Sequence, residues 1–106
     1  ACPESPNCVS SFESDTEHGI QPLQASLRDV EQILLELDEA NIVESKEGYL
    51  YAEFTSRLMR YVDDVEFLED SEKGIIHVRS ASRLGYSDLG ANRKRIENIR
   101  GLLSRI

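Results

Sequence analysis

The sequence predicts an α+β domain in which an antiparallel sheet of about four strands packs against two flanking helices. Two patterns indicate this fold. Apolar residues recur at helical spacing in residues 27–37 and 96–106, and between these segments they alternate with polar residues, as in strands. Turn-forming residues divide the alternating region into two pairs of strands. The order α-ββ-ββ-α therefore predicts a two-layer sandwich, with both helices on one face of the sheet.

The first helix is predicted over residues 26–40. Ser26 is a good N-cap, and Asp29, three positions later, completes a capping-box-like arrangement. The apolar stripe of this helix comprises Leu27, Val30, Ile33, Leu34 and Leu37.

Four strands and a closing helix complete the predicted fold. The strands are predicted at residues 42–45, 49–57, 64–69 and 75–82. A turn at residues 46–48 joins the first pair, and a loop containing Gly74 joins the second. The closing helix is predicted over residues 89–105, with Ser87 or Asp88 as its cap. Its apolar stripe comprises Ile96, Ile99, Leu102, Leu103 and Ile106.

Length and charge limit the classes of protein that fit. The 106 residues suffice for a single domain, predicted at residues 26–106, and residues 1–25 are predicted to form an extended arm. The net charge of −8 argues against a nucleic-acid partner, and no apolar run is long enough to span a membrane. The charge is uneven, because residues 1–53 carry −10 and residues 54–106 carry +2. Two interpretations stay open: the halves pair internally, or the basic surface binds an anion.

The two cysteines, Cys2 and Cys8, have Pro3 and Pro6 between them. This pattern favours a small disulfide loop in an exported protein. Attachment of a lipid to Cys2 is the alternative, and it would leave Cys8 without a partner. A metal site is disfavoured, since His18 is the one further candidate ligand nearby. We therefore expect an extracytoplasmic protein (periplasmic, secreted or membrane-anchored), and we predict neither a metal nor another cofactor.

Strand alternation predicts a polar face on the side of the sheet that the helices leave open. The residues predicted on this face are Tyr51, Glu53, Arg57, Asp64, Glu66, His77 and Arg79. A solvated face with weak cross-strand ion pairs is one interpretation. A polar groove or a surface for a partner is the other.

The segment from residue 79 to residue 95 contains five basic residues against one acid, Asp88. It leads into the predicted N-terminus of the closing helix, where free N–H groups and the helix dipole favour an anion. The candidate anion-binding residues in it are Arg79, Ser80, Ser82, Arg83, Ser87 and Arg93. In the alternative interpretation, Asp63, Asp64 or Glu66 folds against Arg79 and Arg83 as an internal network.

Catalysis is disfavoured by the same alternation. A Ser–His–Asp set of Ser80, His77 and Asp64 fails, because residues 77 and 80 lie on opposite faces of one predicted strand. The neighbouring carboxylates of Asp63 and Asp64 point to opposite faces for the same reason. A hydrolase is therefore the least favoured function.

Three motifs give the chain a family likeness. CPESPNCVSS, SRLMRYVDDVEF and HVRSASRLGYSDLGANRKRIENIR, in this order, resemble the domain-of-unknown-function family 1499. The resemblance implies a small exported bacterial protein or lipoprotein, with relatives in plant plastids, and it implies no catalytic residues. It adds Asn92 to the candidate anion-binding residues. It also marks Arg57, Asp63, Asp64, Glu66, Asp88 and Glu97 as motif positions. Together with His77 of the polar face, these residues make up the predicted supporting network.

From these observations we expect a non-enzymatic domain that binds an anionic group on a small molecule or a protein partner. The arginine- and serine-rich loop and the following helix N-terminus would supply the donors. The alternative is a structural or assembly module in which the arginines and aspartates pair internally and another surface docks a protein.

Overall fold

The computed structural model describes residues 2–56, 60–85 and 87–106. Its strands are β1 (Cys8–Ser10), β2 (Ala40–Lys46), β3 (Tyr49–Thr55), β4 (Val62–Asp70) and β5 (Ile75–Ser82). Its helices are α1 (Leu27–Glu36) and α2 (Ala91–Leu103). Within these residues the strands form one antiparallel sheet in the order β1-β5-β4-β3-β2. The predicted class, an antiparallel sheet with two helices, is confirmed.

Strands β2 to β5 form a meander in which each strand pairs with the next along the chain. Both predicted hairpins are present, and the turn between β2 and β3 uses Gly48 in the left-handed region, with φ at 78°. The pairing of β3 with β4 sets Tyr51 opposite Glu66 and Glu53 opposite Asp64. This register places polar side chains of the two strands side by side.

The sheet has a fifth strand that the sequence analysis did not predict. β1 lies within the segment predicted as an extended arm and pairs antiparallel with residues 79–81 of β5. Isolated bridges from Ser10 to Gly19 and from Leu23 to Ile76 hold more of the same segment beside the sheet. Three residues are too few for strand alternation to be visible in a sequence. This strand is therefore recognised only from its pairing with β5.

The core lies between the sheet and both helices. Its buried side chains are Val9, Ile20, Leu23, Val30, Ile33, Leu34, Leu50, Ala52, Phe54, Val65, Phe67, Ile76, Val78, Ile96 and Ile99. The first three come from residues 1–25, which therefore contribute to the core as well as to the sheet. The helices cover one face of the sheet, and the other face is left to the polar side chains.

Helix α1 begins as predicted and ends early. The Oγ atom of Ser26 accepts a hydrogen bond from the backbone N–H of Asp29 at 3.2 Å. The helix ends at Glu36 rather than at residue 40, because Leu37 is extended and the chain turns into β2.

Helix α2 also differs from its predicted range at both ends. It begins at Ala91, after Gly90, and it ends at Leu103, so that Ile106 of the predicted apolar stripe is 67% exposed. Strand β5 has the predicted bounds, β3 begins at the predicted residue, and the remaining ends of β2, β3 and β4 differ from prediction by one or two residues. None of the helices within the described ranges is both long and apolar enough to cross a membrane.

Candidate functional site

The face of the sheet opposite the helices, called the open face below, gathers most of the polar set that alternation predicts. Its residues include Tyr49, Tyr51, Glu53, Asp64, Glu66, His77 and Arg79, together with Arg83 just after β5. Arg57 was predicted in the same set and lies outside the described residues.

Arg83 is the centre of an ion network on the open face. Its Nε and Nη2 atoms donate to the two carboxylate oxygens of Asp64 at 2.9 and 2.8 Å. Its Nη2 atom also donates to Glu53 Oε2 at 2.6 Å, and the hydroxyl of Tyr51 donates to Asp64. The hydrogen bonds from Arg83 lower the pKa of Asp64. Hydrogen bonds from Arg83 are therefore made to carboxylates of the protein itself, in agreement with the interpretation of an internal network.

Glu66 links two further residues of the open face. Its Oε2 atom accepts a hydrogen bond from the Tyr49 hydroxyl at 2.6 Å, and its Oε1 atom lies 3.8 Å from Arg79 Nη1. Burial, followed by this hydrogen bond, raises the pKa of Tyr49. Arg79 is therefore beside Glu66, one of the carboxylates predicted to hold it.

His77 has a structural environment on the open face. Its Nδ1 atom is 2.9 Å from Ser11 Oγ, and its ring stacks on Phe12 with 4.1 Å between the ring centroids. Ser80 lies on the opposite face of β5, fully buried. The two side chains are therefore separated by the sheet.

Asp63 faces the helices and does not pair with Arg79 or Arg83. That part of the predicted network is wrong, because neighbouring residues of β4 point to opposite faces of the sheet. The Oδ2 atom of Asp63 instead lies 2.7 Å from Arg95 Nη2, and both side chains are largely buried. The Arg95 guanidinium also lies 4.9 Å from the ring centroid of Phe54. This ion pair connects β4 to α2.

Asn92 is the hub of a buried polar network beside that ion pair. Its Oδ1 atom accepts hydrogen bonds from Ser80 Oγ and Arg95 Nη1, both at 2.7 Å. Its Nδ2 atom donates to Ser82 Oγ at 3.0 Å and to Asp88 Oδ2 at 2.7 Å. Ser80 and Asn92 have no exposed surface, so their polar atoms serve internal partners. Neither is placed to contact a ligand from solvent.

Asp88 occupies the N-terminus of α2. Its carboxylate accepts from the backbone N–H groups of Gly90 and Asn92 at 2.8 and 3.1 Å. Burial by itself raises the pKa of Asp88, but the hydrogen bonds from Asn92 and Gly90 outweigh it and the pKa is lowered. Ser87 accepts from the N–H of Leu89. An internal carboxylate thus binds where an external anion was expected.

Arg93 and Glu97 lie on the outer side of α2, against the N-terminal segment. The Nη2 atom of Arg93 donates to the backbone oxygens of Thr16 and Glu17 at 3.4 and 3.2 Å. Glu97 accepts from Arg100 Nε at 2.9 Å. Neither residue joins the open face, so the candidate residues fall into three separate groups.

Sequence reasoning missed two residues of the buried network, Arg95 and Asn7. A signal for Arg95 was present, because residues 92, 95, 96 and 99 fall on one side of a helix and so face the sheet together. Asn7 is buried and its backbone oxygen accepts from Asn92 Nδ2 at 3.0 Å. These residues are 85 positions apart, and no local pattern marks the contact.

A cleft of about 690 Å³ lies beside the start of β4 and the end of β5. Residues 60–63 line it on one side and residues 82–85 on the other, and Arg95 of α2 also lines it. Tyr61 and Leu84 supply apolar surface, being 55% and 77% exposed. We call this cavity the loop cleft.

The described residues offer no metal site. No group of three or more His, Cys, Asp or Glu residues suited to a metal ion occurs among them.

Comparisons with known proteins add one finding. Neither the curated proteins nor the solved structures contain a match. A family model described as protein of unknown function (DUF1499) matches residues 1–103. This match spans nearly all of the 106 residues, so the chain belongs to the DUF1499 family.

Proposed function

We propose that this protein is a non-enzymatic, extracytoplasmic domain that binds an anionic group carried on an apolar body, and that the ligand lies in the loop cleft. The sequence predicts an anionic ligand at the N-terminus of α2. In the structure, the loop cleft suits such a ligand better than that helix end. Ser82, Arg83 and Ser87 of the predicted binding residues line the cleft and stay in the proposal. Ser80, Asn92, Arg79 and Arg93 lie elsewhere and are left out of it.

The state of Arg60 is the observation that carries the proposal. Its side chain is exposed at the cleft and has no ion pair or hydrogen bond to any described residue. Arg83 and Arg95 also line the cleft, but both are held by internal carboxylates. Arg60 is therefore a cation available for a ligand, and the apolar side chains of Tyr61, Val62 and Leu84 adjoin it.

The backbone at the cleft and close to it supports this assignment. Arg60, which lines the cleft, has φ at 60°, and Leu89, which follows the lining residue Asp88, has φ at 54°. Residues with a side chain rarely adopt this left-handed conformation, and such strain is concentrated at functional sites. Leu89 is also 87% exposed, so burial of its side chain does not compensate for the strain.

The disulfide supports a location outside the cytoplasm. Cys2 and Cys8 are bonded to each other, as predicted from their spacing. Disulfides persist in oxidising compartments and are rare in the cytosol.

Calorimetric titration with acetate, hexanoate, decanoate and inorganic phosphate, at fixed ionic strength, tests the proposal. We expect affinity to rise with chain length by up to about fourfold per buried CH₂, because the apolar wall receives the chain. Arg60→Ala should weaken binding of every carboxylate about tenfold or more, and the matched variant Arg105→Ala, at an exposed arginine outside the cleft, should not. Absence of binding, or equal binding by Arg60→Ala, would rule the proposal out.

A second candidate, docking of a protein partner, is favoured by the exposed apolar side chains around the cleft. Leu84 and Leu89 are more than three-quarters exposed, and Tyr61 is more than half exposed. In that case none of the small anions binds. Under this second function, the variants Leu84→Ser and Leu89→Ser should change only one property of the isolated protein, its surface hydrophobicity. Retention on a hydrophobic column measures that property.

A further inference from the structure

We infer that the Cys2–Cys8 disulfide controls the loop cleft through Asn7, so that the oxidised protein binds the anionic ligand and the reduced protein does so weakly. The inference rests on the proposed function and adds a regulation of the same site. It follows from where Asn7 lies and from what its polar atoms contact.

The disulfide closes a short loop that ends with Asn7 and Cys8. The Cα atoms of Cys2 and Cys8 are 5.7 Å apart. Cys8 is fully buried in β1, opposite Ala81 of β5, whereas Cys2 is partly exposed. The bond therefore ties a surface residue to the edge of the sheet. Asn7 is held immediately before the buried half of the bond and is 6% exposed.

Asn7 holds the wall of the loop cleft that follows β5. Its Nδ2 atom donates to the backbone oxygen of Gly85 at 2.6 Å. Its own backbone oxygen accepts from the N–H of Ser82 at 2.9 Å and from Asn92 Nδ2 at 3.0 Å. Ser82 and Gly85 both line the cleft. A displacement of Asn7 would release two backbone positions of this wall and one contact of the buried hub.

The other contacts of the disulfide loop are weaker constraints. The backbone N–H of Cys2 donates to Glu13, and the backbone oxygen of Ser5 is 3.0 Å from His18 Nε2. Ser5 Oγ donates to Asn7 Oδ1 at 2.8 Å, which orients the Asn7 amide only as long as Ser5 keeps its own place. The covalent bond is thus the constraint that reduction removes.

Reduction of this bond follows ordinary thiol–disulfide exchange. A thiolate of an external dithiol attacks Sγ of Cys2, the partly exposed residue of the pair, the S–S bond breaks, and Cys8 leaves as a thiolate that takes up a proton. The second thiol of the reductant then displaces Cys2 as a thiol, and the reductant ends as a disulfide. In the opposite direction, a chain synthesised with free thiols would complete the cleft on reaching an oxidising compartment.

Decanoate titration of the oxidised protein and of the protein reduced by dithiothreitol tests the coupling. We expect affinity to fall at least tenfold on reduction, which corresponds to a competent fraction below about a tenth. The double variant Cys2→Ser/Cys8→Ala should bind like the reduced protein. Oxidised Asn7→Ala should also bind weakly and should respond little to dithiothreitol, while Gln32→Ala, at an exposed amide on α1, should behave as wild type. Equal affinity in both redox states would overturn the inference.

Hydrogen exchange provides a readout that needs no ligand. The amide of Ser82, which donates to Asn7, should exchange at least tenfold faster after reduction, and the central strand β4 should keep its protection as a control for global unfolding. If the oxidised protein binds no probe, the proposed function fails. Faster exchange at Ser82 then still supports the connection from the disulfide to the wall, and unchanged exchange overturns that as well.

Discussion

Asn92 shows at the scale of a residue how one buried amide joins three parts of the chain. Its five hydrogen bonds reach Asn7 before β1, Ser80 and Ser82 in β5, and Asp88 and Arg95 around the start of α2. A buried amide satisfied on both its oxygen and its nitrogen fixes its neighbours, because each of them would lose a partner if it moved.

We expect Asn92→Ala to lower the free energy of unfolding by about 2–4 kcal/mol, since it leaves buried partners short of hydrogen bonds. Urea unfolding measures the change. Asn98→Ala, at an exposed asparagine of the same helix, is the matched control and should stay within about 0.5 kcal/mol of wild type. Equal effects of the two variants would contradict the assignment of Asn92 as a hub.

At the scale of the element, the open face is a set of cross-strand pairs on β3, β4 and the end of β5. The charges alternate so that Arg83 lies between Glu53 and Asp64, and Arg79 lies beside Glu66. Partly exposed pairs of this kind contribute modestly to stability, but their contribution depends on pH.

Acid unfolding should reveal the pairing of Arg83 with Asp64. The pKa of Asp64 is lowered in the folded state, so the unfolded chain takes up the proton first as the pH falls. The stabilisation is complete above the ordinary pKa of about 4 and is lost as the pH falls through the lower folded value. We expect the difference in unfolding free energy between wild type and Arg83→Gln to be constant from pH 7 to pH 5 and to shrink towards pH 2.

Arg28→Gln is the control for this pH series, because Arg28 is an exposed arginine on α1. Asp88, whose pKa is also lowered, is the same in all three proteins, so its contribution cancels in the differences. A difference for Arg83→Gln that does not change with pH would show that the pair with Asp64 is not formed in solution.

At the scale of the whole molecule, two arginines of α2 fasten the N-terminal segment to the body of the protein. Arg100 donates to the backbone oxygens of Gln21 and Pro22, both at 2.8 Å, and Arg93 donates to those of Thr16 and Glu17. With the disulfide at one end and buried Leu23 at the other, the segment is held along its length.

Arg100→Ala should release this segment while the fold persists. We expect faster cleavage after Glu17 by a glutamate-specific protease, and a loss of about 1–2 kcal/mol in unfolding free energy, since the charge-assisted hydrogen bonds from Arg100 to Gln21, Pro22 and the exposed Glu97 disappear. Arg105→Ala, an exposed arginine two residues past the end of α2, is the control. Cleavage at the wild-type rate would contradict the role assigned to Arg100.

Local patterns predicted the elements well and their partners poorly. Ser26 caps α1, β5 has its predicted bounds, and the open face holds those polar residues of the predicted set that the structure describes. The predicted partners of Asp63, Arg79 and Arg83, were wrong, because Asp63 pairs with Arg95. Strand alternation had correctly placed Asp63 and Asp64 on opposite faces of the sheet. Which arginine meets a carboxylate depends on how α2 crosses the sheet, and no local spacing encodes that.

The sequence by itself determined the fold class and the family, because helical and strand periods, turn residues and short motifs are properties of neighbouring positions. It favoured the disulfide over a lipid on Cys2, and the structure has the Cys2–Cys8 bond. The tertiary structure alone decided that β1 joins the sheet, that Asn7 and Asn92 meet across 85 positions, and that residues 60–63 and 82–85 form a cleft. Each of these contacts joins segments far apart along the chain. Their geometry is set by the packing of the common core rather than by the residues on either side.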